Sequence, residues 1–138
     1  MCGILAIFGE EVIVSSHLLS HRGPDDFKTG LIGKCRMDFY RLAINDLTDA
    51  GMQPFRSKKS MLMCNGEIYN YKKFITGQES SKSDCEILLP LIEDCGIMKT
   101  LDMINGDFAM VWSDGKRVIA ARDPVGVRPL FYSRYSNG

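Results

Sequence analysis

Cysteine stands second in the chain, followed by Gly3 and a short apolar run, Ile4 to Phe8. If Met1 is removed, the chain begins with a residue that holds a nucleophilic thiol and a free α-amine together. The reference pKa of such an amine is about 7.7 to 8.0, far below that of lysine, so near neutral pH part of it is unprotonated. It can then act as general base toward its own side chain, and the chemistry open to the pair is attack on a carbonyl carbon with acyl transfer to sulfur. Taken alone, Cys2 reads more simply as a small hydrophobe under the start of a strand.

Other chemistries find less support. His17 and His21 are four apart, a helical zinc spacing, but no glutamate lies between them and the ligand count falls short, so no metal is expected. No G-x-S-x-G, P-loop or G-x-G-x-x-G run occurs, which removes the usual signals of serine hydrolases and nucleotide-binding folds; no cofactor is expected.

The elements that must position Cys2 follow from pattern. Ile4 to Phe8, bounded by Gly3 and Gly9, suits a buried strand, and Ser15 to Ser20 one or two helical turns. His21-Arg22-Gly23-Pro24-Asp25 reads as a loop. From Lys34 to Asp46, Cys35, Met37 and Phe39 alternate with Arg36, Asp38 and Tyr40 in a strand ending near Asp46. Asp49-Ala50-Gly51 is a turn and Gln53-Pro54 is extended. Met61 to Cys64 is a buried strand running into Asn65-Gly66.

Ser83-Asp84-Cys85-Glu86 fits a capping box, with Ile87, Leu88, Leu91, Ile92 and Cys95 forming an apolar helical stripe that ends at Gly96 and is kinked at Pro90. A short helix around Lys99 to Ile104 precedes a hairpin, Phe108 to Trp112 and Arg117 to Ala121, turning at Asp114-Gly115. Val127 to Tyr132 is expected as a last strand. Strands outnumber helices, which suggests α+β packing.

The 138 residues fit one domain large enough to bury a core without disulfides or metals. With 17 basic and 17 acidic residues the chain has no charge excess to attract nucleic acid or a membrane surface. Five cysteines, at positions 2, 35, 64, 85 and 95, form no C-x-x-C pair and read as free thiols of a cytoplasmic protein. The start, Met1 to Phe8, carries a short apolar run without a basic n-region, and no stretch approaches the ~18 apolar residues that a membrane span requires.

Several segments, taken together and in order, resemble one family. They are Met1-Cys2-Gly3-Ile4, His21-Arg22-Gly23-Pro24-Asp25, Arg41-Leu42-Ala43-Ile44, Gln53-Pro54-Phe55, Asn65-Gly66-Glu67-Ile68-Tyr69-Asn70, Ser83-Asp84 and Ala121-Arg122-Asp123-Pro124-Val125-Gly126-Val127-Arg128-Pro129-Leu130. They resemble the glutaminase domain of glutamine-dependent asparagine synthetases, a branch of the class II glutamine amidotransferases within the N-terminal nucleophile hydrolases. The resemblance implies a four-layer αββα sandwich spanning residues 1–138, and L-glutamine as substrate.

It also implies the site. Cys2 would be the nucleophile and its α-amine the proton shuttle. Asn65, by its side chain, and Gly66, by its backbone N–H, would hold the oxyanion, where a missing donor commonly costs ~3 kcal/mol of barrier. Glycine at 66 is expected because no Cβ then blocks the substrate's approach. Arg41 would bind the α-carboxylate as a two-pronged fork, and Asp84, assisted by Glu67, the α-ammonium. On residue type alone, Arg41 is a solvated strand residue, Asn65-Gly66 a turn, and Asp84 an acid favoured in a helix's first turn. The His21 to Asp25 loop is placed near the site without a catalytic step, and Arg122 and Asp123 are read as structural.

The sequence departs from the family pattern in three ways. Phe39 stands where relatives usually carry histidine. The usual domain runs some tens of residues further, which would leave the C-terminal strands truncated and a sheet edge exposed. No synthetase portion with a Ser-Gly-Gly-x-Asp-Ser loop is present, so ammonia would pass to a synthetase subunit, to a missing portion of a longer protein, or to solvent from a free-standing glutaminase. Two alternatives stay open: a glutamine-binding regulatory module without turnover, and a hydrolase of some other amide.

Overall fold

The structure, a computed structural model, describes residues 1–9, 18–44 and 46–134. Two antiparallel sheets make its body. The first has the order β1-β3-β2, with β1 at Gly3–Phe8, β2 at Asp26–Ile32 and β3 at Cys35–Arg41. The second has the order β4-β5-β6-β7, with β4 at Phe55–Arg56, β5 at Met61–Ile68, β6 at Gly106–Ser113 and β7 at Val118–Arg122.

The alternation predicted for β3 aims Cys35, Met37 and Phe39 inward, where they meet Met52, Met61, Met63 and Val111 between the two sheets. The other face of the second sheet presents Leu62, Cys64, Ile68, Phe108, Met110 and Trp112 to Ile87, Leu88, Leu89 and Ile92. These four come from a 3₁₀ turn, Asp84–Ile87, and from helix α1, Leu88–Cys95, which is followed by α2, Ile97–Met103. The described layers are therefore sheet, sheet and helix. Among the described residues, no helix is long and apolar enough to cross a membrane.

Several expectations need correction. Strand β2 was not anticipated: it is an edge strand whose Phe27 and Leu31 stay exposed, so it carries little apolar alternation. Strand β3 ends at Arg41 rather than near Asp46, because the Arg41 side chain turns to the carbonyls of residues 46 and 48 and the chain loops around it. Asn65-Gly66 is not a turn but the middle of β5, paired with Ala109 and Phe108.

The capping box does not form. Ser83 makes no side-chain cap, and the Glu86 carboxylate instead accepts from the backbone N–H and hydroxyl groups of Ser80 and Ser81. Pro90 lies in the first turn of α1, two residues after the 3₁₀ turn Asp84–Ile87 passes into it. Val127 to Tyr132 is not a strand. The Asp123 carboxylate gathers the N–H groups of Gly126, Val127 and Arg128 into a turn, which withdraws them from any ladder. Half of the segment Ser15 to Ser20, where helical turns are expected, lies outside the described residues, His17 included; Leu18 to Ser20 form a turn.

Helix α1 is held by the side chains it buries against the second sheet. Leu88 is fully buried there, so Leu88→Ala should lower the unfolding free energy by about 2–5 kcal/mol, read from urea titration.

Candidate active site

The pairing of Gly3 with Tyr40 brings residue 2 alongside the end of β3. The Cys2 sulfur consequently rests on the Leu42 backbone, 3.4 Å from its nitrogen and 3.5 Å from its oxygen. Next to it the Arg41 guanidinium is buried. It donates from Nη1 to the Thr48 carbonyl at 2.8 Å and from Nη2 to the Asp46 carbonyl, so part of its fork shapes the loop and part borders an open cavity.

Opposite lies the edge of β5. In an antiparallel ladder the N–H and C=O of one residue point to the same side, and successive residues alternate sides. The Phe108 backbone is bonded to Asp123 on the far side of β6, accepting from the Asp123 N–H at 2.8 Å and donating to its carboxylate at 3.3 Å. Phe108 and its partner Gly66 are thus a pair without hydrogen bonds between them, and the backbone groups of Cys64, Gly66 and Ile68 point away from β6. Two of those three N–H groups are taken by side chains: Cys64 donates to Gln53 Oε1 at 2.7 Å, and Ile68 to Asp84 Oδ2 at 2.5 Å. The Gly66 N–H lies between them on the same edge, and Gly66 lines the cavity.

Glycine at 66 answers to a packing constraint in addition to the one expected. A Cβ there would sit 2.1 Å from the Asp107 carbonyl oxygen and 2.5 Å from Phe108 Cα. Close approach of β6 by itself excludes a side chain there.

The cavity, of about 140 Å³, is bordered by all six residues singled out in the sequence: Cys2, Arg41, Asn65, Gly66, Glu67 and Asp84. Asn65 and Asp84 are buried, Glu67 is exposed at the rim, and Phe39 closes the base. A cation and a buried carboxylate thus border a single small chamber beside a thiol. The His21 to Asp25 loop supports one wall, with Asp25 Oδ2 accepting from the Ala43 N–H at 2.8 Å.

Three wall-building residues were not singled out by sequence. Gln53 pairs both backbone groups of Cys64, donating to its carbonyl at 3.1 Å in return, and so stands in for a neighbouring strand. Asp46 joins two loops, accepting from Thr48 N–H and hydroxyl through Oδ1 and from Lys82 N–H through Oδ2. The Lys82 and Thr48 donors hold its carboxyl down at about 2. Arg128 reaches the cavity from the turn after β7, ion-paired to Asp107 at 2.5 Å; Asp107 also accepts from the Tyr69 hydroxyl at 2.5 Å. The Met1 side chain lies at the cavity mouth with its sulfur against Arg128 Nη1. The only signal for these residues was their place in the Gln-Pro-Phe and Gly-Val-Arg-Pro segments and in the loop after Arg41.

Comparison with known proteins shows the family of the chain. A family model described as a glutamine amidotransferase domain matches residues 1–138. Asparagine synthetase [glutamine-hydrolyzing] of Homo sapiens is 42% identical over 154 aligned positions that take in 100% of this chain and 27% of that protein. The Bos taurus protein of the same name is 41% identical with the same coverage. A probable asparagine synthetase [glutamine-hydrolyzing] of Acanthamoeba polyphaga mimivirus is 39% identical, over 96% of this chain and 27% of the relative. The chain therefore spans about a quarter of the length of these relatives.

The Asp46 clasp makes a pH-dependent contribution to stability. Its folded-state pKa lies below the ordinary 3.8, so the stabilisation is present above about pH 4 and is lost as pH falls toward about 2. The melting-temperature gap between wild type and Asp46→Asn should be constant near neutrality and close across that acid range, measured by circular dichroism.

Proposed function

Because the chain belongs to the glutamine amidotransferase family, we propose that it hydrolyses the side-chain amide of L-glutamine to L-glutamate and ammonia, with Cys2 as nucleophile. The observation that carries this reading is the convergence of Cys2, Arg41, Asn65, Gly66 and Asp84 on one cavity, although they come from the N-terminus, β3, β5 and the 84–87 turn.

The reaction assigns each group a task. Glutamine enters with its α-carboxylate toward the Arg41 fork and its α-ammonium toward Asp84 and Glu67. A peptide-bound glutamine lacks both charges and would leave buried partners unmatched, so the site selects the free amino acid. After Met1 is removed, the Cys2 α-amine takes the thiol proton, and the sulfur attacks the amide carbon. The oxygen of the tetrahedral intermediate is met by the Gly66 N–H and the Asn65 side chain. Collapse expels ammonia, protonated through the same amine, and leaves a glutamyl thioester that water hydrolyses. Removal of Met1 also clears the cavity mouth and uncovers Arg128.

In this reading residues 1–138 are the glutaminase domain, and the complete fold is the four-layer αββα sandwich, with the three described layers as part of it. The ammonia serves an asparagine-forming step on a synthetase portion. The relatives' name and the fraction of their length matched support that destination.

Glutamate release by the processed protein should fall to background in Cys2→Ala. Asn65→Ala should lower kcat by about 10²- to 10³-fold, as expected for one lost oxyanion donor. Arg41→Lys, which keeps the charge but not the fork, should act mainly by raising KM. Intact mass spectrometry checks that each protein begins at Cys2, and equal release by wild type and Cys2→Ala would refute the mechanism.

A further inference from the structure

Asp46 is bonded toward both of the charges that border the cavity. It is buried on the loop after β3 and itself lines the chamber. Its backbone carbonyl accepts from Arg41 Nη2. Its carboxylate faces the other way: Oδ2 accepts at 2.8 Å from the N–H of Lys82, two residues before Asp84. Oδ1 accepts from the Thr48 N–H at 2.8 Å and hydroxyl at 2.7 Å, and the Thr48 carbonyl in turn accepts from Arg41 Nη1 at 2.8 Å. Gly51 closes on this knot: a Cβ there would lie 2.8 Å from Asp46 Cβ and 2.9 Å from Arg41 Nη2.

We propose that Asp46 is a positioning residue that sets specificity: it fixes the separation of the Arg41 guanidinium and the Asp84 carboxylate, so that the site reads both charges of one free amino acid together. The inference rests on the glutamine reading above. Arg41 ends a strand of the first sheet, whereas Asp84 opens the turn packed on the second. A free amino acid carries its carboxylate and ammonium on one carbon, so two receptors on separate elements serve it together only at a fixed spacing. The Lys82 bond joins the loop that anchors Arg41 to the segment that leads into Asp84. Without it each charge can still be met singly, but meeting both requires ordering the two segments at the expense of binding.

The test uses protein that begins at residue 2 and carries Cys2→Ala, so that ligand is bound without being consumed. Isothermal titration calorimetry compares L-glutamine with glutaramate, the same molecule without its α-amino group. The parent should bind L-glutamine more tightly. Adding Asp46→Asn, nearly isosteric but with one acceptor oxygen fewer, should weaken L-glutamine by about 10-fold and leave glutaramate within about 2-fold, as expected for one lost hydrogen bond to a charged acceptor. With Cys2 present, the same substitution should raise KM for L-glutamine and leave kcat nearly unchanged.

Lys82→Pro removes the same bond from its other end and should give the same pattern, which decides the matter if Asp46→Asn does not fold. Equal weakening of both ligands would make Asp46 a residue of the fold alone, and an undiminished preference for L-glutamine would make it irrelevant to the site; either result overturns the proposal. A parent that binds neither ligand, or both equally, sinks the glutamine reading and this inference with it, so the two failures are told apart by the parent alone.

Discussion

An antiparallel strand can give only every second residue to the neighbour on one side, and β5 uses this rule to build a site. Its odd-numbered positions from 63 to 67 bond to β6, while Cys64, Gly66 and Ile68 turn their N–H groups outward. A short β4 covers only Met61 and Leu62, leaving this edge open beyond them. Gln53 and Asp84 satisfy the groups on either side of Gly66. The donor between them is then fixed by covalent geometry and by two neighbours in hydrogen-bonded registration, the preorganisation that the proposed oxyanion role would call for.

The rest of the fold serves that edge. The first sheet carries Cys2 across to it, because pairing of β1 with β3 leaves residue 2 against Leu42. Helix α1 presses on the opposite face of β5 and carries, through the preceding 3₁₀ turn, the carboxylate that caps Ile68. Loops complete the chamber through side-chain to backbone bonds rather than apolar packing. Asp46 clasps residues 48 and 82, Arg41 grips carbonyls 46 and 48, and Asp25 holds Ala43. Such bonds cost little to form locally and hold loops that have no core of their own.

How much of this was legible depended on the kind of interaction. Alternation in Cys35 to Phe39, the stripe from Ile87 to Ile92 and the Asp114-Gly115 turn state their structure locally, because burial and turn chemistry act over a few residues. The residues proposed for the site came as a set from seven short segments that resemble one family in order, and the structure brings them to one cavity, but their geometry was not legible. Nothing in Asn65-Gly66 distinguishes a turn from the centre of a strand; the choice is made by β6, forty residues later. The capping motif at Ser83 lost to a competing pair of serines at 80 and 81, and the strand after Val127 lost to the carboxylate of Asp123. Both outcomes turn on polar contacts that periodicity does not encode.

The turn after β7 has a consequence for how short the chain can be. Asp123, kept ionised down to about pH 2 by amide donors that outweigh its burial, folds residues 126–128 back so that Arg128 meets Asp107 and stands over the cavity mouth. Asp107 lies directly opposite Glu67 on the adjoining strand. A truncation boundary placed at Arg122 would keep every strand described above and still strip the chamber of its roof, whereas one placed after Pro129 would keep it. The minimal unit is therefore defined by a loop anchor and not by the last element of secondary structure.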